Sequence, residues 1–420
     1  MSDKPRLEVA EYESVPLPRD LLTDDDLRRL GQLCNRRRGT LVETRTGWRF
    51  RPEATAGVLT LDRIRLAILP KTAFTGRSLI QWLCYALGTP VPHETTTRAW
   101  TVERDGFADV VAGALLAECR TLLRDGLRRD YVRTEHVGPV LRGRLDAAAR
   151  ATKRFGMLDR LHMRTFDREV DIWENQLCGH ALRAAARQVT NSHLAREIGL
   201  VAKEFPVTGS PSSALRAVDR SRYTHLNRRY RAAHVWSDLL LRGGGVTDLL
   251  TDIGYDADSL LLDLPGLWEA VVRRLARESA PARAINVPSS GRNGITVYGD
   301  LSTRPPFRPD VLVRMGGPAG NLVPIDAKYK TYQDDPVSSA DVHQLLTYIA
   351  GHSPLTAPVA AIVYPNPHRH SHRVLRVSGP GRDLGAIHVL GVHASADPSE
   401  ATAWLRSTLW RHVVEEELVH

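Results

Sequence analysis

The fold of this chain is decided by two short stretches, RPD at residues 308–310 and IDAKYK at residues 325–330. Val-Leu-Val at 311–313 follows the first stretch and predicts a buried strand, because short apolar, β-branched runs are typical of strands. A glycine-rich turn at residues 316–320 separates it from a second predicted strand at 322–327. The sequence therefore predicts two paired strands whose polar residues meet at one end.

This pairing predicts a site for phosphodiester chemistry. It places Asp310 and Asp326 at the ends of adjacent strands, with Lys328 on the same strand face as Asp326. Two carboxylates can bind a hard divalent cation such as Mg²⁺, which polarises a phosphoryl oxygen and lowers the pKa of a bound water. The lysine can orient that water or neutralise developing charge. Pro324 lacks an N–H, so we expect close pairing of the second strand to begin after it.

The lysines of this motif are informative because arginine dominates the basic residues of the chain. Of 57 Lys and Arg residues, only these are lysines: Lys4, Lys71, Lys153, Lys203, Lys328 and Lys330. Lysine carries a compact ammonium whose pKa can shift, whereas arginine is a planar fork that stays charged. Two lysines in one short motif indicate that the ammonium itself is required. A solvated Asp–Lys pair on a hairpin is the alternative interpretation.

The composition is that of an ordinary globular protein of two or three domains, with 420 residues and 42% hydrophobic content. The first residues lack the apolar segment of a signal peptide, and no run approaches the length of a membrane span. We therefore expect a cytoplasmic protein without a membrane partner. Four widely spaced cysteines indicate free thiols in a reducing compartment. A net charge of +9 favours a polyanionic partner such as DNA.

Hydrophobic periodicity divides the chain into regions of different character. After an amphipathic helix at 24–34, a β-rich module is predicted, and from about residue 102 to 244 the pattern is mostly helical. The predicted strands of the module are 40–43, 48–51, 57–61 and 64–69. A glycine-rich break between Gly243 and Ser259 marks a domain boundary. Beyond it helices alternate with strands, including 283–287 and 295–298, which favours a mixed α/β domain.

Three sets of residues in this last region carry a resemblance to a known superfamily. Pro309-Asp310 followed by Asp326-Ala327-Lys328 resembles the PD-(D/E)xK nuclease core. Gln344 and Tyr348, at i and i+4 on the next predicted helix and hence on one face, resemble its Q-x-x-x-Y helix. Glu269, in an upstream apolar helix, resembles the acidic residue of the first core helix.

More narrowly, the set resembles McrC, the nuclease subunit of McrBC modified-cytosine restriction systems, over about residues 57–364. Further matching segments are Gly57 to Leu61, Ile68 to Lys71, Arg142-Gly143-Arg144 and Glu174-Asn175. The resemblance implies an α/β fold with a C-terminal PD-(D/E)xK nuclease core, a mixed sheet flanked by helices. A small β-rich module would occupy residues 1–95, a mainly helical region for partner coupling 96–255, and the endonuclease domain 256–420.

The resemblance also implies a Mg²⁺-dependent DNA endonuclease, with Mn²⁺ as an alternative metal. The metal ligands would be Asp310, Asp326 and the Ala327 carbonyl, with Glu269 supporting this ion or a second one. Lys328 would position the attacking water. Gln344 and Tyr348 would orient the site or the phosphate.

A partner is implied by what the sequence lacks. It contains no G-x-x-x-x-G-K-[S/T], the pattern of a phosphate-binding loop. McrC-like proteins act with a separate AAA+ GTPase, McrB, which hydrolyses nucleotide and recognises the modified base, such as 5-methylcytosine. By resemblance, this chain would cut DNA and stimulate that GTPase.

Two alternatives remain open. One is a nuclease of the same superfamily in repair or recombination, favoured if no McrB-type GTPase gene lies beside its own. The other is a non-catalytic DNA-binding subunit, which the intact pair of aspartates with its lysine disfavours.

Overall fold

The computed structural model describes residues 4–35, 37–70, 76–89, 102–149, 160–189, 191–241, 260–281, 285–287, 293–299, 305–315, 321–330, 332–333, 335–353 and 358–413. The predicted turn at 316–320 and the predicted boundary at 243–259 lie outside these residues. The chain forms two compact units. The first comprises Met1–His93, Thr101–Gly106 and Thr247–His420, and the second Glu94–Trp100 and Phe107–Val246.

The strands, in chain order, are β1 Arg6–Ala10, β2 Val15–Pro18, β3 Gly39–Thr44, β4 Gly47–Pro52, β5 Thr55–Thr60, β6 Arg65–Leu69, β7 Asp130–Gly138, β8 Arg144–Leu145, β9 Leu161–Glu169, β10 Leu260–Asp263, β11 Ile285–Val287, β12 Val311–Arg314, β13 Leu322–Ala327, β14 Val359–Asn366, β15 Ser371–Gly379 and β16 Arg382–His393. The helices are α1 Asp24–Asn35, α2 Gly76–Leu87, α3 Val102–Arg124, α4 Trp173–Gln188, α5 Ser192–Val201, α6 Pro211–Arg220, α7 Arg231–Leu241, α8 Leu264–Ser279, α9 Ser339–His352 and α10 Pro398–Leu405. A π-helical turn, Arg406–Trp410, continues α10.

The predicted β-rich module is confirmed, with α1 and the strands β3 to β6 at the expected places. Thr23 and Asp26 cap α1 reciprocally: the Asp26 N–H donates to Thr23 Oγ1, and the Thr23 N–H donates to Asp26 Oδ2. Apolar side chains of α1 and of the strands form one buried cluster that includes Leu30, Leu33 and Phe50. This cluster is the core of the module.

The module shares its sheet with the C-terminal part of the chain. Its larger sheet has the strand order β1-β6-β5-β10, and β10 pairs antiparallel with β5. Asp263, at the end of β10, forms a bidentate ion pair with Arg38. Farther along, the Tyr329 hydroxyl donates to Glu11 Oε1 at 3.0 Å. Residues 1–93 and 247–420 therefore belong to one compact unit, whereas the sequence suggested separate domains at 1–95 and 256–420.

The C-terminal part contains a six-stranded mixed sheet with the order β11-β12-β13-β14-β16-β15. The central pairs β13–β14 and β14–β16 are parallel, and the outer pairs are antiparallel. Pairing of β13 with β12 runs through Pro324, contrary to expectation, because Pro324 lies opposite Leu312. Pairing of β13 with β14 begins at Ile325. The mixed α/β fold class is confirmed.

Helices α8 and α9 bring the predicted side chains to this sheet. The buried face of α8 includes Leu267, Trp268, Val271 and Leu275, all fully buried, which is the stripe expected of an amphipathic helix. Helix α9 packs on the sheet through a cluster formed with side chains of β14 and β16. The predicted strand at 295–298 is wrong: only an isolated bridge joins Ile295 to Phe307.

The second unit is less helical than predicted. Between α3 and α4 it contains a three-stranded antiparallel sheet with the order β7-β9-β8. Several of its apolar side chains are exposed, among them Tyr131 and Phe166, so the buried alternation that identifies a strand is weak. Gly143 precedes β8 with a φ of +76°, and a Cβ there would meet the Arg164 carbonyl oxygen, so only glycine fits.

Glu174 and Asn175, which open α4, are buried in a polar network of the second unit. Arg128 Nη1 lies 2.6 Å from Glu174 Oε1, and Asn175 Nδ2 donates to the Arg128 carbonyl at 2.9 Å. The Tyr230 hydroxyl donates to Asn175 Oδ1 at 2.7 Å, and His234 Nε2 lies 3.0 Å from the Glu174 carbonyl. These bonds tie the start of α4 to the end of α3 and to α7.

Two smaller predictions can also be compared with the structure. The cysteines are free, as expected, and Cys84, Cys119 and Cys178 are buried. Within the described part of the chain, every helix is too short or too polar to cross a membrane.

We expect Arg38→Met to lower the free energy of unfolding by about 3 kcal/mol, because it leaves the Asp263 carboxylate, with a side chain 8% exposed, without its cation. Adding Asp263→Asn should recover part of this loss, since it removes the stranded charge. Urea unfolding followed by circular dichroism measures both effects. Arg19→Met is the matched control: the Arg19–Glu43 pair is 63% and 58% exposed, and its loss should cost below about 1 kcal/mol. If Arg38→Met and Arg19→Met lowered the free energy of unfolding equally, the stabilising role of the Arg38–Asp263 ion pair would be contradicted.

Candidate active site

The register of β12 and β13 brings Asp310 to Ala327. Val311 lies opposite Ile325, so Asp310, which immediately precedes β12, reaches the end of β13. The Ala327 N–H donates to Asp310 Oδ2 at 2.7 Å. Two residues predicted as metal ligands are therefore in direct contact through this hydrogen bond.

Asp326, Lys328 and Gln344 form the centre of the site. The Asp326 side chain is 2% exposed, and its Oδ2 lies 2.7 Å from Lys328 Nζ. Gln344 contacts both residues: its Nε2 donates to Asp326 Oδ1 at 3.2 Å, and its Oε1 accepts from Lys328 Nζ at 2.8 Å. The glutamine thus fixes the carboxylate and the ammonium relative to each other.

Helix α9 supplies Gln344 and Tyr348 from one face, as the i, i+4 spacing predicts. Gln344 Nε2 also donates to the Tyr348 hydroxyl at 2.9 Å, and this hydroxyl donates to the Arg308 carbonyl at 2.7 Å. Arg308 lies two residues before Asp310, so Tyr348 links α9 to the chain that enters the site.

Glu269 lies half-buried on α8 and interacts electrostatically with Asp310 and Asp326. Its carboxylate is among the charges that raise the pKa of Asp310, and Asp326 in turn contributes to the raised pKa of Glu269, after burial. The neighbouring Trp268 indole donates to the Val363 carbonyl at 2.9 Å, and the Lys328 N–H donates to the same oxygen at 3.0 Å. This shared acceptor fixes α8 beside the end of β13.

The electrostatics of the site are those of buried carboxylates held close together. Burial, followed by the charges of Asp326 and Glu269, raises the pKa of Asp310 to about 7. Burial also raises the pKa of Asp326, against the opposing charge of Lys328. For Lys328, burial acts to lower the pKa, but the neighbouring carboxylates outweigh it and raise the pKa overall. The single ammonium of Lys328 therefore does not balance the negative charge of the carboxylates, and the lysine stays protonated.

This donor set fits a hard divalent cation in its chemistry. Carboxylate and carbonyl oxygens are the ligands that Mg²⁺ and Mn²⁺ prefer, and a cation would relieve the repulsion that raises the pKa of Asp310. Within the described residues, no three His, Cys, Asp or Glu side chains are grouped as a complete metal site. A cation here would need further ligands from backbone, water or phosphate, which is usual for Mg²⁺.

Asp341 is the residue that sequence reasoning missed. Its Oδ2 accepts from Lys330 Nζ at 2.6 Å, and its Oδ1 lies 3.6 Å from Lys328 Nζ. Burial would raise the pKa of Asp341, but hydrogen bonds from Lys330, Ser338 and Tyr332 lower it to about 2. The signal in the sequence was Ser338 three residues earlier, because Ser-x-x-Asp at a helix start is a capping pattern.

The fold and the site together define a class: a mixed α/β protein that presents two carboxylates and a lysine at paired strand ends, with a glutamine from an adjacent helix. Comparison with protein families identifies the family. The profile of the family described as "McrBC 5-methylcytosine restriction system component" matches residues 50–365. The chain belongs to this family.

The chain is similar to solved structures of McrBC complexes. One is a chain of the refined half-complex from the tetradecameric assembly of Thermococcus gammatolerans McrB AAA+ hexamers with bound McrC, with a TM-score of 0.62 and 16% identity over 96% of this chain and 100% of that one. Another is the cryo-EM structure of the Thermococcus gammatolerans McrBC complex, with a TM-score of 0.46 and 16% identity over 66% of this chain and 89% of that one. A search of curated proteins gave no match.

Proposed function

We propose that this chain is the DNA-cleaving subunit of a McrBC-like modification-dependent restriction system. It would be a metal-dependent endodeoxyribonuclease that acts with a McrB-like AAA+ GTPase. The observation that carries the proposal is the convergence of Asp310, Asp326 and Lys328 at paired strand ends, in a chain of the McrBC family. Carboxylates that can hold a cation, with an ammonium beside them, suit phosphodiester hydrolysis.

Mg²⁺, or Mn²⁺ in its place, is the cofactor of this proposal. Asp310, Asp326 and the Ala327 carbonyl would hold it, and Glu269 would support this ion or a second one. Such an ion polarises a phosphoryl oxygen and lowers the pKa of a bound water. Support comes from the clustering of the carboxylates, whose mutual repulsion contributes to the raised pKa values of Asp310 and Glu269.

The remaining residues act on the water and the phosphate. The Lys328 ammonium, which donates to Gln344 Oε1, would orient the attacking water and neutralise charge that develops on the phosphate. Gln344 keeps the ammonium beside Asp326. Tyr348 holds Gln344 in place through the Arg308 carbonyl. These contacts preserve the geometry in which the reacting groups meet, and small displacements there slow an enzyme strongly.

DNA and a separate GTPase are the proposed partners. The net charge of +9 favours a polyanion, and the chain has no phosphate-binding loop of its own. The similar solved structure places McrC with McrB AAA+ hexamers, and we propose the same kind of partner here. The partner would hydrolyse GTP and select the modified base, such as 5-methylcytosine, while this chain stimulates the hydrolysis and cuts.

We expect Asp310→Ala, Asp326→Ala and Lys328→Ala each to reduce cleavage at least ~10²-fold, because each removes a metal ligand or the group that handles the water. The assay is cutting of long modified DNA with the GTPase and GTP present. Asp383→Ala, an exposed aspartate on the β15–β16 hairpin, is the matched control and should cut normally. Cleavage by the Asp326→Ala variant at the wild-type rate would rule out this active-site assignment.

Metal dependence gives a separate prediction. Mg²⁺ or Mn²⁺ should support cleavage and Ca²⁺ should not, because Ca²⁺ accepts a looser coordination geometry and activates water less well. The measurement is a cleavage time course after removal of metal with EDTA, followed by addition of each ion. Cleavage that persists after thorough EDTA treatment would rule out the metal-dependent mechanism.

Division of labour is tested with the full chain carrying Asp326→Ala. Alone it should hydrolyse no GTP, yet it should raise the turnover of the candidate GTPase, since a partner can supply a charged group in trans that stabilises phosphoryl transfer. The site lies in the first compact unit, while the region predicted to couple, 96–255, lies mainly in the second. Phosphate release reports the effect. If neither binding nor stimulation occurs, a free-standing repair or recombination nuclease becomes the better account.

A further inference from the structure

Asp341 is fixed at the start of α9 by a set of donors that the nuclease motif does not include. Its side chain is 8% exposed. Its Oδ2 accepts hydrogen bonds from three groups: Lys330 Nζ at 2.6 Å, the Tyr332 hydroxyl at 2.8 Å and Ser338 Oγ at 2.5 Å. A buried carboxylate with this many donors is held in one position and stays charged.

The other oxygen of Asp341 lies near the lysine of the candidate site. Lys328 Nζ is 3.6 Å from Asp341 Oδ1, 2.7 Å from Asp326 Oδ2 and 2.8 Å from Gln344 Oε1. Of these three contacts only the one to Gln344 Oε1 is a hydrogen bond, and the two carboxylates attract the ammonium as ion pairs. Lys328 therefore lies between two carboxylates and is closer to Asp326.

This position creates a conflict, if the proposed function holds. The Asp326 carboxylate, whose Oδ2 lies 2.7 Å from the Lys328 ammonium, would also have to bind a divalent cation. Two positive charges a few Å apart in a buried site repel each other strongly. Lys328 must then give up part of its contact with Asp326, and it needs another anionic acceptor to stay charged and in place.

We propose that Asp341 is a positioning residue that takes over the Lys328 ammonium when Asp326 binds the divalent cation. Gln344 Oε1 remains within reach of Nζ throughout, so the lysine stays at the site. Lys330, Tyr332 and Ser338 hold Asp341 where the displaced ammonium needs it. This inference rests on the proposed function and assigns to Asp341 a role that acts through Lys328.

This role of Asp341 predicts how substitutions should change the affinity for the divalent cation. In the absence of the cation, Lys328 pairs mainly with Asp326, whereas in its presence it depends mainly on Asp341. Loss of Asp341 therefore costs more in the metal-bound state, and metal binding weakens. Loss of Lys328 removes a competing cation from Asp326, and metal binding strengthens. Because Lys330 pairs with Asp341 at 2.6 Å, the direct attraction between Asp341 and the metal is largely offset.

The test is a double-mutant cycle on Mn²⁺ binding, measured by calorimetry on the full chain without DNA or partner. We expect Asp341→Asn to weaken binding by about tenfold, a coupling typical of residues in contact. Lys328→Met should tighten it. In the Lys328→Met background, Asp341→Asn should change the dissociation constant by less than about twofold, because the group through which it acts is gone.

Equal weakening by Asp341→Asn in both backgrounds would overturn the inference, because Asp341 would then act on the metal directly or through the fold. Absence of Mn²⁺ binding by the wild-type chain would instead overturn the proposed function, and this inference with it. Tyr332→Phe keeps the charge and removes one donor, so it should weaken binding in the same direction by a smaller factor. Tyr332→Phe provides the test if the Asp341→Asn variant fails to fold.

Asp397→Asn is the matched control. Asp397 caps α10 through the Ser399 N–H at 2.8 Å, is exposed, and belongs to the same compact unit. Its loss should leave Mn²⁺ binding unchanged. In cleavage assays Asp341→Asn should lower kcat by about tenfold at an unchanged KM for DNA, because it misplaces the lysine that acts on the attacking water. A change in KM alone would count against the positioning role.

Discussion

The antiparallel register of β12 and β13 is the constraint on which the candidate site depends. It places Asp310 beside Ala327 and so brings two carboxylates together from different strands. A slip by one residue would turn every side chain of β13 to the other face of the sheet. Asp326 would then lose its contact with Gln344 on α9. Both strands are packed into the core: Val311, Leu312, Val323 and Ile325 are all at most 3% exposed. Apolar packing thus determines where the polar groups meet.

A second constraint joins the two ends of the chain. Strand β10 completes the sheet of the N-terminal module, and α8 begins immediately after it. The Arg38–Asp263 ion pair and the hydrogen bond from Tyr329 to Glu11 connect the module to α8 and to the motif strand. A fragment that ended at residue 255 would lack β10 and leave β5 with an unpaired edge. The module is therefore structurally part of the unit that carries the site.

The candidate site contains several buried carboxylates close together, and the fold must compensate for their negative charge. Asp310, Asp326 and Glu269 are partly or fully buried near one another, and the pKa of each is raised. Such an arrangement costs stability, and clusters of perturbed carboxylates are typical of functional sites. Lys328 offsets part of the charge, and Asp341 forms a neighbouring ion pair with Lys330.

Short-range sequence patterns specify the local features of this protein. The apolar stripe of α8, the strands around RPD and IDAKYK, the i, i+4 pair Gln344 and Tyr348, and the strands of the N-terminal module all follow from short-range patterns. Residue types alone also indicated which groups would meet at the strand ends.

The long-range pairings, in contrast, are visible only once the whole chain is folded. The addition of β10 to β5, the bond from Tyr329 to Glu11 and the approach of Asp341 to two lysines join residues that no local pattern connects. The sheet of β7, β8 and β9 was missed because its exposed apolar side chains do not produce the buried alternation by which strands are recognised. Periodicity reports which face of an element is buried, whereas the partner that buries it is selected by packing over the whole chain.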